Sequence, residues 1–190
     1  MTKRHRYAGM HTSRLAFWMI TLMHDNPLLP LFRNPYKLLE KAGLRSGQKV
    51  LEVGCGPGFF TIPAAKIVGV KGLVYAVDIH PLAIERVKKK IKREGIKNVK
   101  PILANASDTG LADSSIDLAF IFGIRYVAGG LGSVISEMQR ILKSGAILSL
   151  EKTRGSEEKL IQDIAREGFI YSERRSRIYL FRKGEDRKKG

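Results

Sequence analysis

Hydrophobic and polar positions follow two distinct patterns along the chain from residue 49 onward. Short apolar runs, which are typical of buried strands, cover 49–53, 73–77, 99–103, 116–122 and 146–150. Apolar residues at three- and four-residue spacing predict helices over 59–68, 81–93, 131–142 and 157–167. Residues 169–174 and 177–182 are expected to pair as a final hairpin.

This alternation of strands and helices predicts a doubly wound, Rossmann-like α/β fold with a mostly parallel sheet and helices on both faces. Ligands of such sheets bind at the carboxyl ends of the strands. The segments that follow the predicted strands are therefore the places where functional residues are expected.

The segment before the first strand has a different pattern. A predicted helix over 13–24 is apolar on nearly all sides and needs cover on most of its surface. A shorter helix over 36–42 follows Asn34-Pro35, a cap residue with a first-turn proline.

These patterns divide the chain into three parts. We expect residues 1–46 to form a helical cap or lid, and 47–183 to form one α/β domain. Residues 184–190 are expected to be a disordered charged tail.

Charge adds a second feature. The 190 residues contain 34 Lys and Arg against 18 Asp and Glu, which gives a formal net charge of +16. Such a basic protein can attract nucleic acid, an anionic membrane or an acidic small molecule. The basic residues are dispersed along the chain, which favours a generally basic surface over one designed groove.

The single cysteine, Cys55, rules out a disulfide within the chain and fits a cytoplasmic location. The apolar run over 15–23 is followed by no small-residue cleavage site and is far shorter than the roughly 18 residues that span a bilayer. We therefore expect neither secretion nor membrane insertion.

The strongest motif follows the first strand and reads Glu52-x-Gly54-x-Gly56-x-Gly58. Glycines let the backbone turn sharply and approach a ligand closely. A dinucleotide site needs Gly-x-Gly-x-x-Gly, but here the third glycine comes one residue early. Together with the carboxylate of Glu52, which would repel phosphates, this spacing argues against a nicotinamide-dependent oxidoreductase.

The motif resembles the first motif of class I S-adenosylmethionine-dependent methyltransferases. The stretch 47–150 is similar to the ubiquinone/menaquinone methyltransferase-like domain, also called methyltransferase type 11. The resemblance implies the strand order 3-2-1-4-5-7-6, an N-terminal helical cap and S-adenosylmethionine as cofactor. It also implies that the loop backbone lies against the methionyl part of that cofactor.

The acid that ends the second strand, Asp78, stands about 20 residues past the loop, where an acid meets ribose hydroxyls in nucleotide-binding folds. The resemblance implies that Asp78 is the ribose ligand. It places Asn105 near the adenine amino group, with Asp108 as the alternative, whereas Asp117 is expected to be structural. The full cofactor set expected is Glu52, Gly54, Cys55, Gly56, Gly58, Asp78, Ile79, Asn105, Ala106 and Gly123.

The acceptor side is less defined. The segment after the fourth strand lacks the Asn/Asp-Pro-Pro-aromatic motif of enzymes that methylate exocyclic amines of bases. Cys55 lies in the glycine loop, which removes the usual cysteine nucleophile of C5-pyrimidine methyltransferases and the thiol set of arsenite methyltransferases. The candidate substrate residues are His11, Phe17, Trp18, Arg125 and Tyr126. His80 is either a capping residue or a cofactor contact.

These observations lead to one principal hypothesis, direct methyl transfer to a small-molecule acceptor, with no metal and no assigned general base. The net charge supports an alternative, an RNA methyltransferase. A non-catalytic RNA- or partner-binding protein on the same fold is the third possibility. The protein is expected to be a monomer or a homodimer.

Overall fold

The computed structural model describes residues 33–122, 130–152 and 155–184. Seven strands lie in these ranges: β1 Lys49–Val53, β2 Leu73–Asp78, β3 Val99–Leu103, β4 Ile116–Ile121, β5 Leu142–Glu151, β6 Phe169–Arg175 and β7 Ile178–Lys183. The helices are α1 Pro35–Lys41, α2 Thr61–Val68, α3 Pro81–Arg93, α4 Leu131–Ile141 and α5 Glu157–Arg166.

The strands form one seven-stranded sheet in the order β3-β2-β1-β4-β5-β7-β6. Strands β1 to β5 are parallel to one another, and β7 runs antiparallel between β5 and β6. The predicted fold class and strand order are confirmed. In this order the strand sequence reverses direction between the adjacent strands β1 and β4, in the middle of the sheet. The carboxyl ends of β1, β2 and β4 lie at the same edge.

Both faces of the sheet are covered by apolar packing. The face under α1, α2 and α3 contains the buried side chains Leu39, Val50, Ala64, Val74, Val87, Leu118 and Phe120. The opposite face, under α4 and α5, contains Leu51, Val53, Val77, Ile121, Ile135, Met138 and Ile164. Alternate residues of β1 therefore serve opposite cores, as the period of a strand requires.

The short helix α1 begins where the sequence predicts, because the side chain of Asn34 accepts a hydrogen bond from the Lys37 backbone N–H and Pro35 occupies the first turn. Within the range expected to form a cap, Leu39 and Ala42 are fully buried against the sheet. Ser149 of β5 donates a 2.6 Å hydrogen bond to the Ala42 carbonyl oxygen. The predicted helix over 13–24 and the tail beyond 184 lie outside the described residues.

Most predicted boundaries are within two residues of the observed ones, but the prediction for the start of β5 is wrong. We expected α4 to continue to 142 and a strand to begin at 146. Instead α4 ends at Ile141, and Leu142 already pairs with Ile116 of β4. A register shift lies between that pair and the next, Leu118 with Ile147, and it accommodates the intervening polar turn. Local sequence does not encode this long-range pairing.

No helix among the described residues is long and apolar enough to cross a membrane.

We predict that Gly72→Ala destabilises the protein by about 1–3 kcal/mol, the cost of overpacking a filled site. An added Cβ would lie 2.6 Å from the Val68 Cβ and 2.7 Å from the Gln48 carbonyl oxygen. Thermal and urea unfolding measure the effect.

The matched control is Gly132→Ala in α4, where the nearest atom to an added Cβ is Glu167 Oε1 at 3.7 Å. That change should stabilise the helix by up to about 1 kcal/mol. Equal effects of the two substitutions would contradict the packing described around Gly72.

Candidate functional site

The glycine loop after β1 is bound to the neighbouring strand. Gly54 and Cys55 both donate their backbone N–H to the Val77 carbonyl oxygen, at 2.8 and 3.0 Å. Gly58 donates to the Cys55 carbonyl oxygen at 3.0 Å and closes a tight turn. The loop is therefore a rigid surface at the carboxyl end of β1 and β2.

Two of its glycines are required for different reasons. Gly58 has φ of +85°, and an added Cβ would lie 3.2 Å from Val87 Cγ2, so the loop and α3 approach closely there. Gly56 has φ of +52°, but nothing lies within 4 Å of an added Cβ. The loop is thus packed against the protein at Gly58 and open to a ligand at Gly56.

Asp78 stands at the end of β2 and joins this loop to the start of α3. One carboxylate oxygen accepts a hydrogen bond from Gly56 N–H and the other from His80 N–H, both at 2.8 Å. Burial raises the pKa of Asp78, while these two amides oppose the shift. Each carboxylate oxygen keeps a second lone pair, so the side chain still has room to accept hydrogen bonds from a vicinal diol.

Exposed apolar side chains flank Asp78. Ile79 is 43% exposed and Leu103, at the end of β3, is 55% exposed. Two large apolar residues exposed at adjoining strand ends form a surface suited to a flat heterocycle. Leu103 was not among the residues predicted from the sequence, although its place at the end of a predicted strand was a usable signal.

The segment after β3 begins with a further link to Asp78, whose carbonyl oxygen accepts from Ala104 N–H at 3.1 Å. Asn105 follows, and its side-chain oxygen accepts from Ser107 N–H at 3.1 Å. Asn105 and Ala106 are partly exposed, whereas Asp108 is exposed and pairs with Asn105 through the backbone. Asn105 and Ala106 thus directly follow the residue that is bonded to Asp78.

Glu52, two residues before Gly54, is a buried residue with only 2% of its surface exposed. Its carboxylate accepts a 2.5 Å hydrogen bond from the Thr61 hydroxyl. Burial raises its pKa from an ordinary value of 4.5 to about 8. Cys55 is also buried, and burial raises the pKa of its thiol, so this cysteine is not a reactive thiolate.

Several predicted residues have structural partners. His80 caps α3, since its Nδ1 accepts from Leu82 N–H at 3.2 Å. Asp117 accepts from Lys49 N–H at 2.7 Å and from the Lys143 ammonium at 2.6 Å, which fits the structural role expected for it. Gly123, Arg125, Tyr126, His11, Phe17 and Trp18 lie outside the described residues.

An ion pair that the sequence did not reveal lies at the carboxyl end of β5. The Glu151 side chain is 1% exposed and pairs with Arg33, which precedes α1 in the chain. The Arg33 guanidinium also lies over the ring of Phe60, 5.1 Å from its centre. Phe60 in turn contacts Phe122, the residue after β4, with ring centres 5.3 Å apart.

Comparison with known proteins identifies the family. Residues 44–183 match the family described as a methyltransferase domain, and the chain belongs to it. A crystal structure of a SAM-dependent methyltransferase from Aquifex aeolicus is similar, with a TM-score of 0.77 and 25% identity over 88% of this chain and 98% of that one.

Similar sequences include a demethylmenaquinone methyltransferase from Geobacillus stearothermophilus, 35% identical over 58% of this chain and 47% of the relative. A probable cobalt-precorrin-6B C(15)-methyltransferase from Sulfolobus acidocaldarius is 33% identical over 60% of this chain and 57% of the relative. The chain spans about half the length of the curated relatives it matches.

These findings confirm the identification as a class I S-adenosylmethionine-dependent methyltransferase domain, with S-adenosylmethionine as the cofactor of the class. The residues present fit that group: a carboxylate at Asp78 with lone pairs left for a diol, exposed apolar side chains beside it, and a glycine loop open at Gly56. Within the described ranges, no three His, Cys, Asp or Glu side chains cluster as metal ligands would.

We predict that stability falls as pH rises from about 5 to 8, because the folded state holds a proton on Glu52 that the unfolded chain releases near its ordinary pKa of 4.5. This carboxyl contributes a slope of at most about 1.4 kcal/mol per pH unit, which ends above its folded pKa of about 8. Glu52→Gln carries no titrating proton and keeps an oxygen for Thr61, so its stability should decline less across that window. Urea unfolding at stepped pH compares the two proteins, and parallel curves would contradict the shift.

Proposed function

We propose that this protein transfers a methyl group from S-adenosylmethionine to a small-molecule acceptor. The observation that carries the proposal is the carboxylate of Asp78, which is fixed by Gly56 N–H and His80 N–H at the open side of the glycine loop. This arrangement suits a ribose diol held next to an extended amino-acid chain.

The loop's own hydrogen bonds favour this cofactor over a dinucleotide. A pyrophosphate site depends on backbone N–H groups that point at the phosphates. Here Gly54, Cys55 and Gly58 donate to carbonyl oxygens of the protein, and Gly56 donates to Asp78. These four donors are engaged within the protein, so the loop presents a surface better matched to a methionyl chain than to phosphates.

Each remaining part of the cofactor then has a proposed contact. Asp78 holds the ribose, Ile79 and Leu103 flank the adenine, and Asn105 and Ala106 lie at the adenine edge. The methionyl part lies along Gly54, Cys55 and Gly56, with Glu52 supporting the loop from beneath and Gly58 packing it on α3. Gly123 completes the proposed set.

S-adenosylmethionine, when bound, supplies a methyl group already activated on a sulfonium. The protein's task is then to orient the two partners and exclude water, and positioning of this kind is worth roughly 7–11 kcal/mol. Acceptor contacts are proposed for His11, Phe17, Trp18, Arg125 and Tyr126, and residues 1–46 are proposed to cover the acceptor side.

A small acceptor is supported by the names of the relatives, which include methyltransferases for demethylmenaquinone, aklanonic acid and cobalt-precorrin-6B. RNA is the second candidate, supported by the exposed basic side chains of α3, which include Arg86, Lys88, Lys89, Lys92 and Arg93. The cytoplasmic location and the state of monomer or homodimer stay predictions.

Isothermal calorimetry with S-adenosylhomocysteine and with NAD tests the proposal. We expect micromolar binding of S-adenosylhomocysteine and no measurable heat with NAD, because the N–H donors of Gly54, Cys55, Gly56 and Gly58 are engaged within the protein. Binding of NAD without binding of S-adenosylhomocysteine would overturn the cofactor. Cofactor binding without methyl transfer to any fraction of a cell extract would favour the non-catalytic alternative.

A second prediction concerns Asp78. Asp78→Asn preserves the shape of the side chain but removes the charge, and its amide NH2 replaces the acceptor of either the Gly56 or the His80 N–H. Hydrogen bonds to charged groups contribute about 1.5–3 kcal/mol, so S-adenosylhomocysteine affinity should fall at least about tenfold while the fold persists. Calorimetry and circular dichroism measure both.

The control is Asp163→Asn on α5, an acid paired with Lys159 on the protein surface. That change should leave cofactor affinity unaltered. Normal affinity in Asp78→Asn would show that Asp78 is not the ribose ligand.

A further inference from the structure

The segment between β3 and β4, residues 104–115, carries the proposed adenine contacts but contains no helix. In a doubly wound fold, a helix usually connects such strands and fixes the loop that precedes it. Something else must therefore hold Asn105 and Ala106 in place.

One end of this segment is tied to β2, where Ala104 N–H donates to the Asp78 carbonyl oxygen. The other end is tied to α4 through Glu137, a carboxylate in the opposite core that is only 6% exposed. Its Oε1 accepts from the Thr109 N–H at 2.9 Å and from the Thr109 hydroxyl at 2.6 Å. Thr109 is itself 4% exposed, so both donors depend on this one carboxylate.

Arg140, one turn further along α4, completes the arrangement. Its guanidinium donates to both carboxylate oxygens of Glu137 at 2.8 Å and also pairs with Asp113. The segment is thus held at Thr109 and again at Asp113 through a single bidentate pair. Asn105 lies between these attachments and the one at Asp78.

We propose that Glu137 is a positioning residue for cofactor recognition: through Thr109 it fixes the 104–115 segment so that Asn105 and Ala106 meet the adenine edge. Glu137 itself does not touch the cofactor. The inference rests on the proposed function, because it assumes that adenine lies against this segment.

The test uses two ligands that differ only at the adenine edge, S-adenosylhomocysteine and S-inosylhomocysteine, which carries an oxygen in place of the 6-amino group. We expect the wild-type protein to prefer the amino compound, since Asn105 offers a carbonyl oxygen to it. Thr109→Val removes the hydroxyl that Glu137 accepts from. The ratio of the two ligand affinities should then fall at least about threefold, which corresponds to less free energy than one hydrogen bond typically contributes.

Thr109→Ser keeps the hydroxyl and should restore the ratio. Ser149→Ala is the matched control, because it also removes a buried hydroxyl that donates one hydrogen bond, but on the opposite face of the sheet. It should alter the melting temperature and leave the ratio unchanged. Glu137→Gln sets an amide NH2 against the donors of either Thr109 or Arg140, which loosens the hold on Thr109, so it should lower the ratio even if Thr109→Val fails to fold.

The outcomes separate this inference from the proposed function. If the wild-type protein does not bind S-adenosylhomocysteine, the proposed cofactor site is wrong. If it binds both ligands equally, no adenine-edge contact exists for Glu137 to position. If it prefers the amino compound and both Thr109→Val and Glu137→Gln keep that preference, the cofactor site stands and the role of Glu137 is overturned.

Discussion

The hydrogen bonds that Asp78 accepts from Gly56 and His80 determine how the ligand edge of this domain is built. The two strands that end at this edge are parallel, so their carboxyl ends and the loops after them converge, and Gly54 and Cys55 donate directly to Val77 of β2. One carboxylate links them, and it turns the donor of Gly56 away from solvent. The loop then has a fixed shape, and its Gly54, Cys55, Gly56 and Gly58 amides all donate within the protein.

Two further buried carboxylates have comparable roles. Glu52 accepts from Thr61 at the start of α2, while Glu137 accepts from Thr109 in the segment after β3. Burying a carboxyl group costs free energy unless its lone pairs are used. Glu52 avoids part of this cost by holding a proton, as its raised pKa indicates. Burial also opposes ionisation of Glu137, but hydrogen bonds from Arg140 and Thr109 outweigh it and lower the pKa of Glu137. The same residue type is thus neutralised in one place and paired in another.

The sequence predicted the bounds of β1, α3 and β3, because each of these has a strong local period and a clear start or stop signal. The strand order came from the family resemblance and not from any local pattern. The spacing of Gly54, Gly56, Gly58 and Asp78 singled out these residues as cofactor candidates, but the hydrogen bond between Gly56 and Asp78 was not predicted. The sequence did not predict the start of β5, which a register shift determines, or the contact of Thr109 with Glu137. Those depend on pairings between residues 26 to 28 positions apart, for which no local pattern exists.

The distribution of contacts also explains why the fold determines the cofactor more sharply than the acceptor. The proposed cofactor contacts among the described residues come from three adjacent strand ends, β1, β2 and β3, and each is held by hydrogen bonds to the next. The carboxyl ends of β4 and β5 are instead connected through the Phe60–Phe122 contact and the Arg33–Glu151 pair, which bring in residues from other parts of the chain. Relatives that share this frame are named for acceptors as different as demethylmenaquinone and a cobalt-precorrin. A frame that holds one ligand at β1 to β3 and builds the neighbouring surface from residues of other parts of the chain is compatible with such a range of acceptors.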